Sequence, residues 1–189
     1  MGANRLSGGP RRCARSRADS LLRRLAVIQV RFLCDEMLVG LGRWLRAAGH
    51  DTLIAGPGAA DTALLALAEE EGRILLTRDR ALIRMAEART PAMLLSDRMP
   101  DQALRLRDAL GLDWLAAPFT RCLIDNCLLE EATPGGAIPE AARSLPGPFR
   151  RCPCCGRDYW PGSHVKRMLA RLAAWNAPTP AQLFGHALR

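Results

Sequence analysis

Lysine is almost absent from this 189-residue chain. Of its 27 basic residues all but Lys166 are arginine. Together with abundant Ala, Gly and Pro this reads as a coding bias, so arginine richness alone says nothing about function. Long apolar runs are missing too. None approaches the ~20 residues that a bilayer-crossing helix needs, which removes the membrane as an expected partner. No convincing secretory signal precedes the cysteines, and they cluster in close pairs late in the chain. That excludes a secreted disulfide framework and favours metal binding in a reducing, cytoplasmic setting. There is no internal repeat, so the length implies one domain, or one domain plus a small module.

What is present divides by charge. Residues 1–30 carry seven arginines against Asp19; residues 31–142 carry 12 basic and 17 acidic groups; residues 143–189 carry eight basic groups against Asp158. An acidic middle between basic ends suits a carboxylate metal site flanked by polyanion contacts. With 49% hydrophobic residues the middle can bury a core. Residues 1–30 read as a poorly ordered Arg-rich extension; a transit peptide or a nucleic-acid-binding arm has the same composition. The expected organisation is this extension, an α/β domain over 31–118, a cysteine module with a basic helix over 119–176, and a tail over 177–189.

From Arg31 a strand–helix rhythm begins. Strands are expected at Arg31–Cys34, Asp51–Ala55, Ile74–Leu76 and Pro91–Leu95. Between them fall patterns of helical spacing, stopped by Gly49, Gly72 and Gly111, with Pro100 opening the last. Alternation of this kind implies a parallel sheet with helices as crossovers. Ser163 is expected to cap a basic helix from Val165 to Trp175.

Four aspartates fall at strand-to-helix transitions: Asp35, Asp61, Asp79 and Asp97. In a parallel sheet such transitions share one edge, where converging carboxylates repel unless a cation neutralises them. Hard oxygen donors select Mg²⁺ or Mn²⁺, and the chemistry that follows is metal-assisted hydrolysis of a phosphodiester. Each aspartate also has a bland use: Asp61 and Asp79 as helix caps, Asp97 as a turn residue. Asp35, followed by Glu36, is the hardest to explain that way.

Cys152-Pro153-Cys154-Cys155-Gly156 has the form of a metal-binding knuckle, with Cys152 and Cys155 aimed at one ion. The partner knuckle lies in Arg121-Cys122-Leu123-Ile124-Asp125-Asn126-Cys127. Two knuckles across a loop make a closed, structural Zn²⁺ site. Cys154 is left over, and Cys13 and Cys34 are expected as free thiols, Cys34 packed in the sheet. Beyond the knuckle, Tyr159 and Trp160 stand beside His164, Lys166 and Arg167. Aromatics beside basic groups are the usual recipe for single-stranded RNA; packing of the ribbon against the helix would use the same aromatics.

Taken together these stretches resemble the Mut-seven-C RNase domain family, a PIN-like nuclease domain followed by a zinc ribbon. The likeness runs from about Arg31 to Leu172. It rests on Phe32 to Leu38, Gly42 to Arg46, Gly49 to Thr52, Ile74 to Arg80, Arg121-Cys122, Phe149 to Gly156, Tyr159-Trp160 and Gly162 to His164. It implies an α/β, PIN-like parallel sheet with a small C-terminal zinc ribbon, and Mg²⁺- or Mn²⁺-dependent ribonuclease activity. Asp35, Asp61 and Asp79 are then the metal-binding acids, with Glu36, Arg43, Thr77 and Asp97 in support. One departure concerns the first knuckle. Where the family reads R-C-x-x-C-N, this chain has Cys122, Asp125 and Asn126, with Cys127 displaced by two. The expectation is that Cys127 completes the zinc set with Cys122, Cys152 and Cys155; Asp125 is the alternative ligand, and an impaired site the third outcome. The alternatives to a nuclease are a non-catalytic RNA-binding module and a toxin-like nuclease held by a partner, although nothing firm in the sequence points to a protein partner.

Overall fold

The computed structural model describes residues 30–178 apart from 87–88 and 136–137. The expected extension, its Cys13 and most of the tail therefore lie outside the described residues. Four parallel strands form the centre: β1 (Phe32–Cys34), β2 (Thr52–Ile54), β3 (Ile74–Thr77) and β4 (Ala92–Leu94), in the order β2-β1-β3-β4. All three residues of β1 are at most 1% exposed, as expected of a strand covered on both faces.

Side chains alternate between those faces. Phe32, Cys34 and Leu76 point into a core shared with α1 (Val39–Ala47) and α4 (Met99–Leu110); Leu33 and Leu75 point into a second core closed by α2 (Asp61–Glu71) and α3 (Arg80–Ala86). The chain is thus a helix–sheet–helix sandwich, the α/β arrangement anticipated for a PIN-like fold. A one-turn 3-10 segment, Glu36–Leu38, leads into α1. Helix ends follow the sequence: α2 and α4 stop at Gly72 and Gly111, both left-handed. Gly49 is constrained further. Its φ is 97°, and a Cβ there would stand 2.3 Å from the carbonyl oxygen of Ala117.

The segment expected only as a connector, 112–120, contributes Trp114 to the first core, with its indole N–H donating to the Ala103 carbonyl at 3.1 Å. A long terminal helix, Ser163–Asn176, closes the same core through Met168, Leu172 and Trp175. Trp175 packs against Trp44 and Trp114 at ring separations of 4.9 and 5.2 Å. Gly162, not Ser163, occupies the N-cap, and no side chain caps this end. Serine was expected there for its oxygen, but it forms the first helical residue.

The cysteine-bearing module is a small antiparallel sheet of β5 (Glu130–Glu131), β6 (Arg150–Arg151) and β7 (Asp158–Tyr159), with a one-turn α5 (Glu140–Arg143) in its loop. The terminal helix above is α6. Ile138, Ala142 and Phe149 form a separate minor cluster against Trp160. Among the described residues no helix is long and apolar enough to cross a membrane.

Candidate functional site: an acidic edge and a cysteine cluster

Asp35 directly follows β1 and Asp79 lies two residues beyond β3, so both stand at the carboxyl edge of neighbouring strands. Thr77, the last residue of β3 and fully buried, joins them. Its hydroxyl donates to Asp35 Oδ2 at 2.7 Å and accepts from the Asp79 N–H at 2.9 Å. The other Asp35 oxygen accepts from the Glu36 N–H at 2.6 Å. Asp35 is 8% exposed, so its carboxylate is held in place by two donors and reaches solvent through a narrow opening.

Asp79 does serve as a cap: Oδ1 accepts from the Ala81 N–H at 2.6 Å. That use occupies one oxygen only. Glu36 turns away from the strand and accepts from the Gly58 N–H at 2.6 Å. It therefore ties down the loop that follows β2 and leads to Asp61, the first residue of α2. Arg43 is exposed on α1. Asp97 forms an ion pair with Arg78 and its side chain is 80% exposed, which makes it a surface group.

Oxygen donors without nitrogen suit a hard cation. Among the described residues, however, only cysteine-bearing groups bring three ligand atoms within 4.8 Å of one another. Asp35, Asp61 and Asp79 do not. Direct ligation of one ion by all three is therefore not how these side chains stand. Magnesium commonly keeps several waters and binds through one or two carboxylates, a mode that does not need three carboxylates to converge.

The cysteine cluster is assembled more tightly. Ligand atoms of Cys122, Asp125, Cys152 and Cys155 all lie within 4.8 Å of one another. Cys122 and Cys155 sulfurs are 3.8 Å apart, and Asp125 Oδ2 is 3.6 Å from both Cys122 and Cys152 Sγ. Bonds of about 2.3 Å to sulfur in a tetrahedron put sulfurs about 3.8 Å apart, so these residues fit a zinc-sized ion. Cys127 is not in this set. It forms a disulfide with Cys154 and, with Cys154 and Cys152, makes a second group of close ligand atoms, so in this arrangement Asp125, the alternative ligand, stands where Cys127 was expected and Cys154 is not left over. The reason is local: Asn126 takes a left-handed conformation with φ 62°. Asp125 lies before that turn, on the Cys122 side, and Cys127 beyond it.

The thiols show what an ion would relieve. Burial pushes Cys152 up to about 12. Burial and then the adjacent Asp125 carboxylate raise Cys155. Tyr159 is raised as well, first by burial and then by its bond to Cys122. Its hydroxyl donates to Cys122 Sγ at 3.2 Å and accepts from the Leu123 N–H at 3.0 Å. Cys34, by contrast, is fully buried in the sheet with a pKa pushed up to about 12, mainly by burial, and stays an inert thiol.

A family model for the Mut7-C RNAse domain matches residues 30–172. The chain belongs to the Mut7-C RNAse domain family. Neither the curated proteins nor the solved structures give a match. Mut7-C membership points to a ribonuclease-type function and to RNA as the substrate class, and it covers both the sheet with its acidic edge and the cysteine cluster.

The two sites of this Mut7-C chain lie at opposite ends of the sheet. Arg46, 5% exposed, donates from Nε to the Thr52 carbonyl at 2.8 Å and from one terminal nitrogen to the Leu123 and Ile124 carbonyls. Arg73 pairs with Asp51 at 2.8 Å, and Asn126 donates to the same Asp51 oxygen at 2.8 Å while accepting from the Thr52 N–H. These contacts dock the first knuckle on the amino ends of β1 and β2, away from Asp35 and Asp79. Sequence reading missed Arg46, Arg73, Asp51 and Asn126. A charged residue on an apolar helix face, Arg46 beside Leu45 and Ala47, was the available sign.

Of the expected RNA-contacting residues, Lys166, Arg167 and His164 are exposed, while Tyr159 and Trp160 are half-buried. The Tyr159 hydroxyl is committed to the knuckle, and Trp160 packs on the minor cluster. The packing use of these aromatics is therefore real, and it leaves only parts of their rings to solvent.

Proposed function

We propose that this chain is a divalent-metal-dependent ribonuclease that hydrolyses RNA phosphodiester bonds at the carboxyl edge of its sheet. Three regions take part: Asp35 and Asp79 with Asp61 at the acidic edge, a zinc-type ribbon that aids RNA binding, and the domain division near residue 118. The observation that carries the reading is the Thr77 bridge. One buried hydroxyl fixes the Asp35 carboxylate and the backbone of Asp79 together at a strand end, in a chain of the Mut7-C family.

Asp35 and Asp79 would hold Mg²⁺ or Mn²⁺, with Asp61 reaching the ion through water. A cation bound there supplies Lewis acidity toward a phosphate oxygen and makes water more acidic. The protein's own part is positional. Thr77 and the Glu36 N–H hold both Asp35 oxygens, so this carboxylate does not reorganise as charge develops. Glu36 fixes the loop that delivers Asp61. Asp79 uses one oxygen for α3 and keeps the other for the site. At the cysteine cluster, Cys122, Asp125, Cys152 and Cys155 would hold Zn²⁺ as a structural ion, with Tyr159 donating to one sulfur.

The test is RNA cleavage with Mn²⁺ by wild type, Asp35→Asn and Asp79→Asn. Each variant should lose roughly 10²–10³-fold in rate, the scale of removing one fixed electrostatic contributor, with thermal unfolding little changed. Undiminished cleavage by both variants would sink the proposal. A second reading, an RNA-binding module without catalysis, is favoured by one observation: the three carboxylates do not close on a common point. RNA binding that persists without added Mg²⁺ or Mn²⁺, with no cleavage under any divalent ion, would select it.

A further inference from the structure

A cavity of about 390 Å³ opens between the first knuckle, β7 and the start of α6. It belongs to the ribbon and not to the acidic edge. Its walls include Leu123, Ile124, Tyr159, Trp160, Val165 and Met168. Small-ligand pockets occupy roughly 300–1,000 Å³ and are mostly apolar with a few polar groups, so the space suits a single flat group of moderate size. Ile124 is 45% exposed and so leaves apolar surface for an occupant to cover.

The rim supplies the charge argument. Arg157 and His164 line the cavity, and Lys166 and Arg167 follow in the first turns of α6. Among the described residues, Arg157, Lys166 and Arg167 take part in no ion pair with an acid. Asp158, the acidic residue of the lining, is already engaged by Arg151 at 2.7 Å. The result is an apolar, aromatic pocket whose lining acid is already paired, with Arg157 and His164 in its wall and Lys166 and Arg167 exposed farther along α6.

We propose that this cavity is a nucleobase pocket for single-stranded RNA, in which one unstacked base enters while its flanking phosphates meet Arg157, Lys166 and Arg167. The inference rests on the ribonuclease reading for its choice of RNA. Several features select this occupant. A peptide helix would need apolar surface beyond one cavity, and the unpaired cations call for a polyanion. A base in a duplex stays stacked and cannot enter, whereas single-stranded RNA can splay a base onto aromatic rings. The Tyr159 hydroxyl is spent on Cys122 and Leu123, so that residue offers a ring and no polar reader. Because the knuckle docks on the amino ends of β1 and β2 while Asp35 and Asp79 stand at the carboxyl edge, the held base and the cut bond are separate points on one strand. The pocket is a hold for the RNA, set apart from the site of cleavage.

The test uses the zinc-loaded full chain without added Mg²⁺ or Mn²⁺, and a fluorescent single-stranded RNA of roughly ten nucleotides, within the usual span of such sites. A matched strand lacking bases and a duplex of the same sequence are compared. Stacking of one base is worth about tenfold in affinity, so the strand lacking bases and the duplex should each bind about tenfold more weakly. Ile124→Trp and Val165→Phe, which fill the cavity from two sides, should weaken the normal strand by about tenfold and leave the strand lacking bases unchanged. Retained zinc content and an unaltered unfolding temperature show which of the two variants folds and is read. Equal binding of strands with and without bases overturns the pocket, as does undiminished binding by a folded filling variant. Cleavage is measured apart from this, with Mn²⁺. A chain that binds base-dependently and never cuts keeps the pocket and loses the nuclease; one that cuts but ignores the bases loses the pocket alone.

Discussion

The cysteine cluster and the acidic edge both bring candidate metal ligands together, but they reach different stages of assembly. At the cluster four ligand atoms already stand within 4.8 Å of one another, on two tight turns fixed by backbone bonds such as Cys122 N–H to Cys127 O and Cys152 N–H to Arg157 O. At the edge, Asp35 and Asp79 are joined through Thr77, and Asp61 stands on a separate helix. The contrast matches the proposed roles. The binding energy of a structural ion is folding energy, so in the folded module its ligands stand together. A catalytic ion must admit a substrate, so its site keeps open positions.

The largest expected effect separates Asp125 from Cys127. Structural zinc contributes on the order of 10–16 kcal/mol to folding in small modules. Asp125→Ala removes a ligand and should lower zinc affinity by more than the roughly 10–100-fold that loss of an outer hydrogen-bond partner causes. Cys127→Ser should leave zinc stoichiometry at one per chain, because its sulfur is already bonded to Cys154. Metal content after dialysis against a graded chelator reads both. If Cys127→Ser loses zinc and Asp125→Ala keeps it, the cluster is built as the spacing first suggested.

That reversal shows what the sequence could and could not carry. The sheet was legible because its determinants are local: apolar runs of strand length, glycines placed for left-handed stops at 72 and 111, and helical spacing between them. Asp35 and Asp79 were legible because topology alone puts strand ends on one edge. Which of Asp125 and Cys127 stands beside the other three was not, since they differ by two residues in a turn whose direction is set by the φ of Asn126. Nor was the long-range use of Arg46 and Arg73. Neither was given a role from the sequence, and only the tertiary fold aims them at the Leu123, Ile124 and Phe32 carbonyls. Trp114 and α6 were likewise assigned away from the main core, because nothing local says which core an amphipathic stretch will close.

The tie between the two ends of the sheet gives the next prediction. Burial alone would raise the pKa of Asp51. Arg73 chiefly, with Arg121 and Asn126, outweighs burial and lowers it from its ordinary 3.8. A carboxyl whose folded pKa lies below its unfolded value stabilises the fold fully above the unfolded value, and that contribution is lost as pH falls through the folded one. Wild type should therefore lose stability as pH drops below about 4, and Asp51→Asn should show a flatter curve there. At neutral pH the same change leaves Arg73, 5% exposed, paired with Glu71 alone of its two carboxylates. A fully buried pair broken on one side costs about 3–5 kcal/mol; with Asp51 23% exposed and the Glu71 pair kept, roughly 1–2 kcal/mol is expected. Denaturant midpoints across pH measure both effects. Zinc binding should weaken slightly in parallel, since the Asn126 amide then donates to a neutral acceptor in place of a carboxylate, whereas Mn²⁺-dependent chemistry at the far edge should persist in the folded fraction.

The smallest expected effect belongs to Asp97, and it sharpens the comparison from the acidic side. Position at a strand-to-helix transition places Asp97 with Asp35 and Asp79, but β4 is the outer strand and Asp97 turns to Arg78 in an exposed pair. Exposed ion pairs contribute about 0–1 kcal/mol. Asp97→Asn should therefore shift stability by no more than that, and cleavage should stay within about threefold of wild type, a change of about 0.7 kcal/mol in barrier. The informative measurement is the Mn²⁺ concentration needed for half-maximal cleavage. An Asp97 that only screens Arg78 leaves it unmoved. An Asp97 that rotates onto the ion when RNA arrives raises it several-fold, and the acidic edge would then be a site completed by its substrate, unlike the cysteine cluster, whose ligand atoms already stand together.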